Sequence, residues 1–261
     1  MTKGEFVSVN GLAMYYERHG TGKPLLLLPG GYGGVDSFET LLAPLAETRL
    51  VIPVELQGHG HTADIDRPLS FEDMADDIAL LIEHLGYPQA DVLGYSLGGG
   101  VAIQTVIRHP NRVGKLVVVS APCKSAGWYP EVLVGMRANN AESAKTWVGS
   151  PMHQAYARVA PRPEDWPRLA IKIGQLLGRP YDWSEHVKAI KSATLIVVGD
   201  ADAVNPDHAV EFFALLGGGK GDAGFDGSGM SNAGLAILPR TTHYNIISSP
   251  ALPSLVMTFL D

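Results

Sequence analysis

Cysteine is nearly absent from this 261-residue sequence, in which Cys123 stands alone. A single cysteine forms no intrachain disulfide, and we therefore expect a reducing, cytoplasmic location. The sequence also lacks runs of Lys or Arg, and its 27 acidic residues outnumber 20 basic ones, for a formal net charge of -7. This balance excludes the basic surface that nucleic acid or an anionic membrane attracts, so we expect neither as a partner.

Long apolar runs are lacking as well. No stretch approaches the roughly 20 apolar residues that span a bilayer, and residues 1–11 lack the apolar centre of a signal peptide. Clustered metal ligands are scarce, since His59, His61 and Asp64 have no further ligand group beside them. We therefore expect no metal site and no cofactor.

What the sequence contains is an alternation of strand and helix patterns. Asn10-Gly11 predicts an antiparallel hairpin between residues 5–9 and 12–18. A helix is predicted over residues 70–85, with Ser70 placed to cap its first turn. Short runs rich in Val, Ile or Leu predict buried parallel strands at residues 25–28, 50–54, 113–119 and 193–198. The alternation predicts one α/β domain with a mostly parallel central sheet and helices on both faces.

One segment interrupts the alternation. Residues 122–187 contain aromatics, prolines and short amphipathic pieces but no comparable strand-like run. We interpret this segment as a helical cap inserted into a core formed by residues 1–121 and 188–261. Because parallel sheets bind ligands beyond the carboxyl ends of their strands, we expect the chemistry there, under the cap.

The motif that predicts chemistry is the hexapeptide Gly-Tyr-Ser-Leu-Gly-Gly at residues 94–99, between a short strand at residues 91–93 and a helical pattern. In so tight a turn, the flanking glycines leave room for the crossing backbone, and Ser96 projects into the cleft. The helix that follows directs free N–H groups at the same point, which makes Leu97 a predicted oxyanion donor. Ser96 is the predicted nucleophile.

At these residues the sequence resembles the α/β-hydrolase fold family, in its serine esterase and lactonase branch. The resemblance covers nearly the whole chain and includes Pro29-Gly30-Gly31, Gln57-Gly58-His59-Gly60 and the turn at residues 94–99. It implies a central sheet of about eight strands and a helical cap. Its triad order implies that Asp202 is the acid and His243 the base, with Asp200 as the competing acid.

The second oxyanion donor is expected in the loop after the strand at residues 25–28. The family usually has His-Gly there, whereas this chain has Pro29-Gly30, which leaves Gly31 as the implied donor. Aromatic side chains often line ligand pockets, and four of them are predicted to bind substrate: Tyr32, Tyr95, Trp128 and Tyr156.

These residues predict a metal-independent carboxylic ester hydrolase that acts on a small, apolar substrate through an acyl-enzyme on Ser96. The partner would be a small-molecule ester or lactone, and the protein a monomer or homodimer. A serine at position 96 argues against dehalogenases and epoxide hydrolases, which need a carboxylate nucleophile. Lactonases, including the acyl-homoserine lactone type, and C–C bond hydrolases share the triad and stay open as alternatives, as does a small-molecule receptor on the same fold.

Overall fold

Two sheets organise residues 4–261, the part of the chain that the computed structural model describes. Glu5–Val9 (β1) and Leu12–Tyr16 (β2) form the antiparallel hairpin that turns at Asn10-Gly11. Six parallel strands form the main sheet in the order β4-β3-β5-β6-β7-β8. Their bounds are Lys23–Leu28 (β3), Arg49–Pro53 (β4), Ala90–Tyr95 (β5), Val113–Val119 (β6), Ala193–Ala201 (β7) and Ala233–Thr242 (β8).

The main sheet thus has six strands rather than the expected eight. The hairpin supplies the other two, and isolated antiparallel bridges join Tyr16 to Val54 and, just after the hairpin, His19 to Val51. The α/β-hydrolase fold was predicted correctly, and the difference concerns how the first two strands attach.

Helices cover both faces of this sheet and also form the segment between β6 and β7. They are Glu39–Ala46 (α1), Phe71–His84 (α2), Leu97–Arg108 (α3), Pro130–Arg137 (α4), Ala141–Thr146 (α5), Pro151–Val159 (α6), Trp166–Leu177 (α7), Ser184–Val187 (α8), Pro206–Leu215 (α9) and Ala251–Leu260 (α10). Ser70 caps α2 by accepting the Asp73 N–H at 2.9 Å. Alternate strand residues pack to opposite faces, so Leu26 and Leu28 join one core cluster while Leu25 and Leu27 join the other.

Helices α4 to α8 lie between β6 and β7, in the segment predicted as a cap. The segment leaves and re-enters the core at one place, which we call the neck, residues 123–125 and 181–183. There the Ser125 N–H donates to the Tyr181 carbonyl at 2.9 Å, and the Trp183 N–H donates to the Cys123 carbonyl at 3.0 Å. The two ends of the segment are therefore paired side by side.

A buried ion pair also fastens this segment to the core. The ammonium group of Lys172 on α7 lies 2.7 Å from the carboxylate of Asp64, and it also donates to the Ile65 and Arg67 carbonyls at 2.8 and 2.7 Å. This contact holds α7 over the carboxyl ends of the sheet strands. No helix among residues 4–261 combines the length and apolarity needed to cross a membrane.

Candidate active site

Ser96 lies in the sharp turn between β5 and α3, with φ at 54° and ψ at -117°. Positive φ is uncommon for a residue with a side chain and persists only where the surroundings enforce it. The Ser96 N–H donates to the Val119 carbonyl at 2.9 Å, and the Gly98 N–H donates to the Pro29 carbonyl at 3.0 Å. The chain after β3 and the end of β6 thus hold the turn from both sides.

Two positions of this turn, Gly94 and Gly98, have no room for a side chain. A Cβ atom on Gly94 would collide with the backbone of Gly98, and one on Gly98 would collide with the carbonyl oxygens of Leu28 and Pro29. Because all the obstructing atoms are backbone, no side-chain movement would relieve the overlap. The spacing of glycines around Ser96 is therefore fixed by how closely α3 approaches β3 and β5.

Three side chains from separate loops form a continuous hydrogen-bonded chain. Ser96 Oγ lies 3.0 Å from His243 Nε2, and His243 Nδ1 lies 3.1 Å from Asp202 Oδ1. Asp202 follows β7 and His243 follows β8, whose ends pair through Ala201 and Thr242. With Nδ1 donating to the carboxylate, Nε2 is free to accept the serine proton.

The Asp202 carboxylate is buried and bonded on both oxygens. Oδ1 also accepts the Val204 N–H at 3.1 Å, while Oδ2 accepts the Gly199 N–H at 3.0 Å and the Ser120 hydroxyl at 2.5 Å. Burial alone would raise the pKa of Asp202, but the hydrogen bonds from His243, Gly199 and Ser120 outweigh it and lower the pKa below its usual value. Asp202 is thus held ionised.

His243 is fixed by its backbone as well as by its ring. The Tyr95 hydroxyl donates to the His243 carbonyl at 2.7 Å, and the Trp128 ring lies edge-on to the imidazole at 5.5 Å between centroids. The residue is 8% exposed, whereas Ser96 is half-buried at the open side. The histidine is therefore shielded while the serine stays reachable.

Gly31 and Leu97 lie next to each other beside Ser96. The Gly33 N–H donates to the Gly30 carbonyl at 3.0 Å, closing a turn that carries Gly31, and the Cβ position of Gly31 lies 3.7 Å from Leu97 Cδ1. Leu97 is the first residue of α3, so its N–H has no partner in the helix. Among residues 4–261 the Gly31 N–H also has none, which leaves two free donors at a helix N-terminus.

A pocket of about 390 Å³ opens beside this turn, within the usual size range of small-ligand sites. Of the residues predicted to bind substrate, Tyr32, Tyr95 and Tyr156 line it, but Trp128 does not. The pocket adjoins Ser96 through Gly30, whose Cβ position lies 3.3 Å from Ser96 Cβ. Trp128 instead packs against His243 and donates its indole N–H to the Tyr181 hydroxyl at 3.2 Å.

The Tyr32 hydroxyl is buried and finds no partner among residues 4–261. The Tyr32 ring packs edge-on against Trp147 at 5.4 Å and at a tilt against Trp166 at 5.1 Å. Its burial raises the pKa of the phenol above its usual value, so this hydroxyl remains a donor at neutral pH.

The competing acid, Asp200, lies away from the histidine. It is exposed, and its Oδ1 accepts the Thr241 N–H at 3.0 Å, which is the turn-bonding role open to any loop aspartate. His61 pairs with Glu55, whereas His59 bonds the Gln57 carbonyl. Among residues 4–261, no three His, Cys, Asp or Glu side chains are grouped to hold a metal ion.

Sequence reasoning missed Ser120. It follows β6, is fully buried, and bonds Asp202 from a position 82 residues earlier in the chain. The one available signal was its position, since β6 neighbours β5 and the carboxyl ends of adjacent parallel strands lie together.

Comparison with known proteins places these features in a family context. Residues 23–150 match a family model described as the alpha/beta hydrolase fold. A putative carbamate hydrolase, RutD of Azorhizobium caulinodans, is 31% identical over 115 residues, which cover 44% of this chain and 43% of the relative. The serine hydrolase BPHL of Mus musculus is 28% identical over 213 residues, covering 79% and 72% of the two chains.

Among solved structures, E-2-(acetamidomethylene)succinate hydrolase superposes over the whole of both chains with a TM-score of 0.77 and 19% identity. Identity this low shows a common fold alone. The matched part of this chain spans less than half the length of the first curated relatives.

Proposed function

We propose that this chain, which has the α/β-hydrolase fold, is a serine hydrolase that cleaves a small carboxylic ester, with Ser96 as nucleophile, His243 as general base and Asp202 as the acid that orients the histidine. The observation that carries the proposal is the unbroken chain of contacts from Ser96 Oγ through the imidazole to the Asp202 carboxylate. Its two links, at 3.0 and 3.1 Å, are of hydrogen-bond length, and the serine proton moves along the first of them.

The reaction proceeds in two halves. In the first, Ser96 Oγ forms a bond to the ester carbonyl carbon as its proton moves to His243 Nε2, and the leaving alcohol takes that proton as its C–O bond breaks. In the second, water gives a proton to His243 and its oxygen attacks the acyl carbon, which releases the acid and returns the proton to Ser96. The Gly31 and Leu97 N–H groups stabilise the oxyanion in both halves.

Asp202 supports this cycle through charge. Its carboxylate fixes Nδ1 as the protonated nitrogen and stabilises the imidazolium that forms in each half. The four donors around it, His243 included, keep it ionised at neutral pH.

The lining of the pocket disfavours an anionic substrate. No Lys or Arg of the described residues lines it, while Asp36 and Glu39 do, so a carboxylate on the substrate would find repulsion and no ion pair. Arg158 lies near, but its guanidinium is already 3.3 Å from Asp36. The printed name of one relative, a putative carbamate hydrolase, agrees with attack on a carbonyl group, and that of another, a serine hydrolase, agrees with a serine nucleophile.

The proposal is tested by hydrolysis of p-nitrophenyl esters of increasing acyl length, with lactones in the same panel and a chelator present throughout. We expect wild type to turn over short neutral esters, and Ser96→Ala to lose at least about a thousandfold in kcat. Ser254→Ala, which removes an exposed hydroxyl from α10, is the matched control and should behave as wild type.

Activity that survives in Ser96→Ala would overturn the assignment of the nucleophile. Turnover of lactones in preference to all open esters would identify a lactonase with the same triad. A wild-type protein that binds members of the panel without turnover would instead be a receptor.

A further inference from the structure

Ser120 holds an unusual backbone conformation directly under the triad acid. It follows β6 with φ at 50° and is fully buried, and its N–H donates to the Val197 carbonyl of β7 at 2.8 Å. Glycine adopts positive φ without strain, whereas a residue with a Cβ does so at a cost. If the chain needed only the turn, glycine would serve there, so the presence of serine indicates that its side chain is used.

The Ser120 side chain makes a hydrogen bond to the triad acid. Ser120 Oγ lies 2.5 Å from Asp202 Oδ2, and because an ionised carboxylate only accepts, the hydroxyl is the donor. A hydrogen bond from a hydroxyl group to an ionised carboxylate is stronger than one between two neutral groups. Apart from His243, Ser120 is the one side chain among residues 4–261 that bonds this carboxylate.

The two carboxylate oxygens of Asp202 have different hydrogen-bond partners. Oδ1 faces His243 Nδ1, whereas Oδ2 is held by Ser120 from β6 and by the Gly199 N–H from its own loop. Rotation of the carboxyl group would break the bonds on both oxygens together. Anchoring Oδ2 therefore fixes the direction in which Oδ1 is presented.

We propose that Ser120 is a positioning residue of the triad, whose hydroxyl anchors Oδ2 of Asp202 so that Oδ1 is aligned with His243 Nδ1. The inference rests on the proposed function, since alignment matters to rate only if His243 acts as the base. Ser120 acts through Asp202 and does not touch the substrate.

Three variants of Ser120 separate the effect of its hydroxyl group from the effect of its backbone conformation. Ser120→Ala and Ser120→Gly both lose the donor, whereas Ser120→Thr keeps it at the cost of a β-branched side chain at positive φ. We expect kcat to fall about tenfold to thirtyfold in the Ala and Gly variants, with KM within twofold of wild type, because a charge-assisted hydrogen bond is lost. The Thr variant should keep most of kcat while being less stable, and Ser120→Gly should be at least as stable as Ser120→Ala.

Thr105→Val is the matched control. Thr105 is also fully buried, but its hydroxyl bonds the Val101 carbonyl inside α3 at 2.8 Å, away from the triad. A second readout needs no substrate: the far-downfield proton resonance of His243 Nδ1–H, which reports its bond to Asp202. It should move or broaden in Ser120→Ala and Ser120→Gly, and stay in place in Ser120→Thr and Thr105→Val.

A purely structural Ser120 would give a different pattern, in which melting temperature changes but kcat and the resonance stay at wild-type values in the Ala and Gly variants. That result would overturn the inference. If wild type hydrolyses nothing, the proposed function fails by itself, and the resonance alone then decides whether Ser120 aligns the Asp202–His243 pair.

Discussion

Backbone strain in this molecule is concentrated at the candidate site. Five non-glycine residues of the described chain have positive φ, and apart from Asn10 in the hairpin these are Tyr32, Ser96, Ser120 and Arg240. The first three follow β3, β5 and β6, and the last lies three residues before His243. Each such conformation costs on the order of 1 to 3 kcal/mol, which the packing around it must offset. The site is thus held in shape by the sheet beneath it.

Replacing Asp202 should reveal its role as the acid of the triad. We expect Asp202→Asn to lower kcat about ten-thousandfold, because an amide in place of the carboxylate favours the wrong histidine tautomer and cannot stabilise an imidazolium. Asp200→Asn is the control, since Asp200 is exposed and bonds only backbone. Ester hydrolysis by the two variants measures the difference, and the reverse ranking would identify Asp200 as the acid.

His59 should make stability depend on pH. Burial lowers the pKa of His59 to about 4, although its bond to the Gln57 carbonyl and the nearby Asp64 charge oppose this. The unfolded chain binds the proton near pH 6.5, so His59 contributes stability that is complete above about pH 6.5 and is lost as pH falls toward about 4. The full loss is about 3 kcal/mol at 1.36 kcal/mol per pH unit.

Denaturant unfolding at pH 7 and pH 4.5 tests this dependence, with His59→Gln beside wild type. The free energy of unfolding should fall less in the variant between the two pH values. An equal fall in both proteins would mean that His59 is protonated in the folded state.

Which residues of the site could be predicted from the sequence depended on the local pattern around each of them. Ser96 was predictable because its glycines and flanking elements are contiguous, and the positions of Asp202 and His243 because each follows a strand in a known order. Ser120 has no such local pattern, since a serine after a strand is ordinary and its partner is 82 residues away. Trp128 was expected in the pocket on composition alone, which does not specify the direction of a side chain.

At the scale of elements, apolar runs predicted the strands where both faces are covered. The predicted strand at residues 113–119 coincides with β6, which is buried between two neighbours. Only residues 235–238 of the last strand form an apolar run rich in Leu and Ile, but β8 extends over Ala233–Thr242 because its ends also pair with β7. An edge strand needs less apolar surface, so hydrophobicity alone does not define its bounds.

Gly98 and Gly135 provide a matched test of helix glycines. Gly98→Ala should destabilise the protein by roughly 3 kcal/mol or more, since the new methyl meets the Leu28 and Pro29 carbonyls with no room to relax. Gly135 lies in α4 with no atom near its Cβ position, so Gly135→Ala should stabilise by about 0.5 to 1 kcal/mol. Thermal unfolding of both variants measures the difference, and a neutral Gly98→Ala would contradict the close approach of α3 to β3.

At the scale of the whole molecule, two exposed acidic residues, Asp36 and Glu39, line the pocket and should select against anionic substrates. We expect kcat/KM for a neutral ester to exceed that for a singly anionic ester of equal length by roughly twofold to fivefold, because exposed Glu39 and Arg158-paired Asp36 repel a carboxylate only weakly. The double variant Asp36→Asn/Glu39→Gln should narrow this preference, and added salt should do the same in wild type.

Glu131→Gln, on the exposed face of α4 outside the pocket, is the control for charge removal. It should leave the preference for the neutral ester unchanged. Equal rates on neutral and anionic esters in wild type would show that the pocket does not sense substrate charge.

The paired neck has a consequence for how this protein can evolve. Residues 123–125 and 181–183 lie side by side, so the chain between them starts and ends at one place on the core, which it also contacts at Lys172 and Trp128. A change in the length of an exposed loop between these ends costs little beyond a small change in loop-closure entropy. Genetic exchange of that segment would then replace the pocket walls that Met152 and Tyr156 supply, while Ser96, Asp202 and His243 lie outside it and are inherited unchanged.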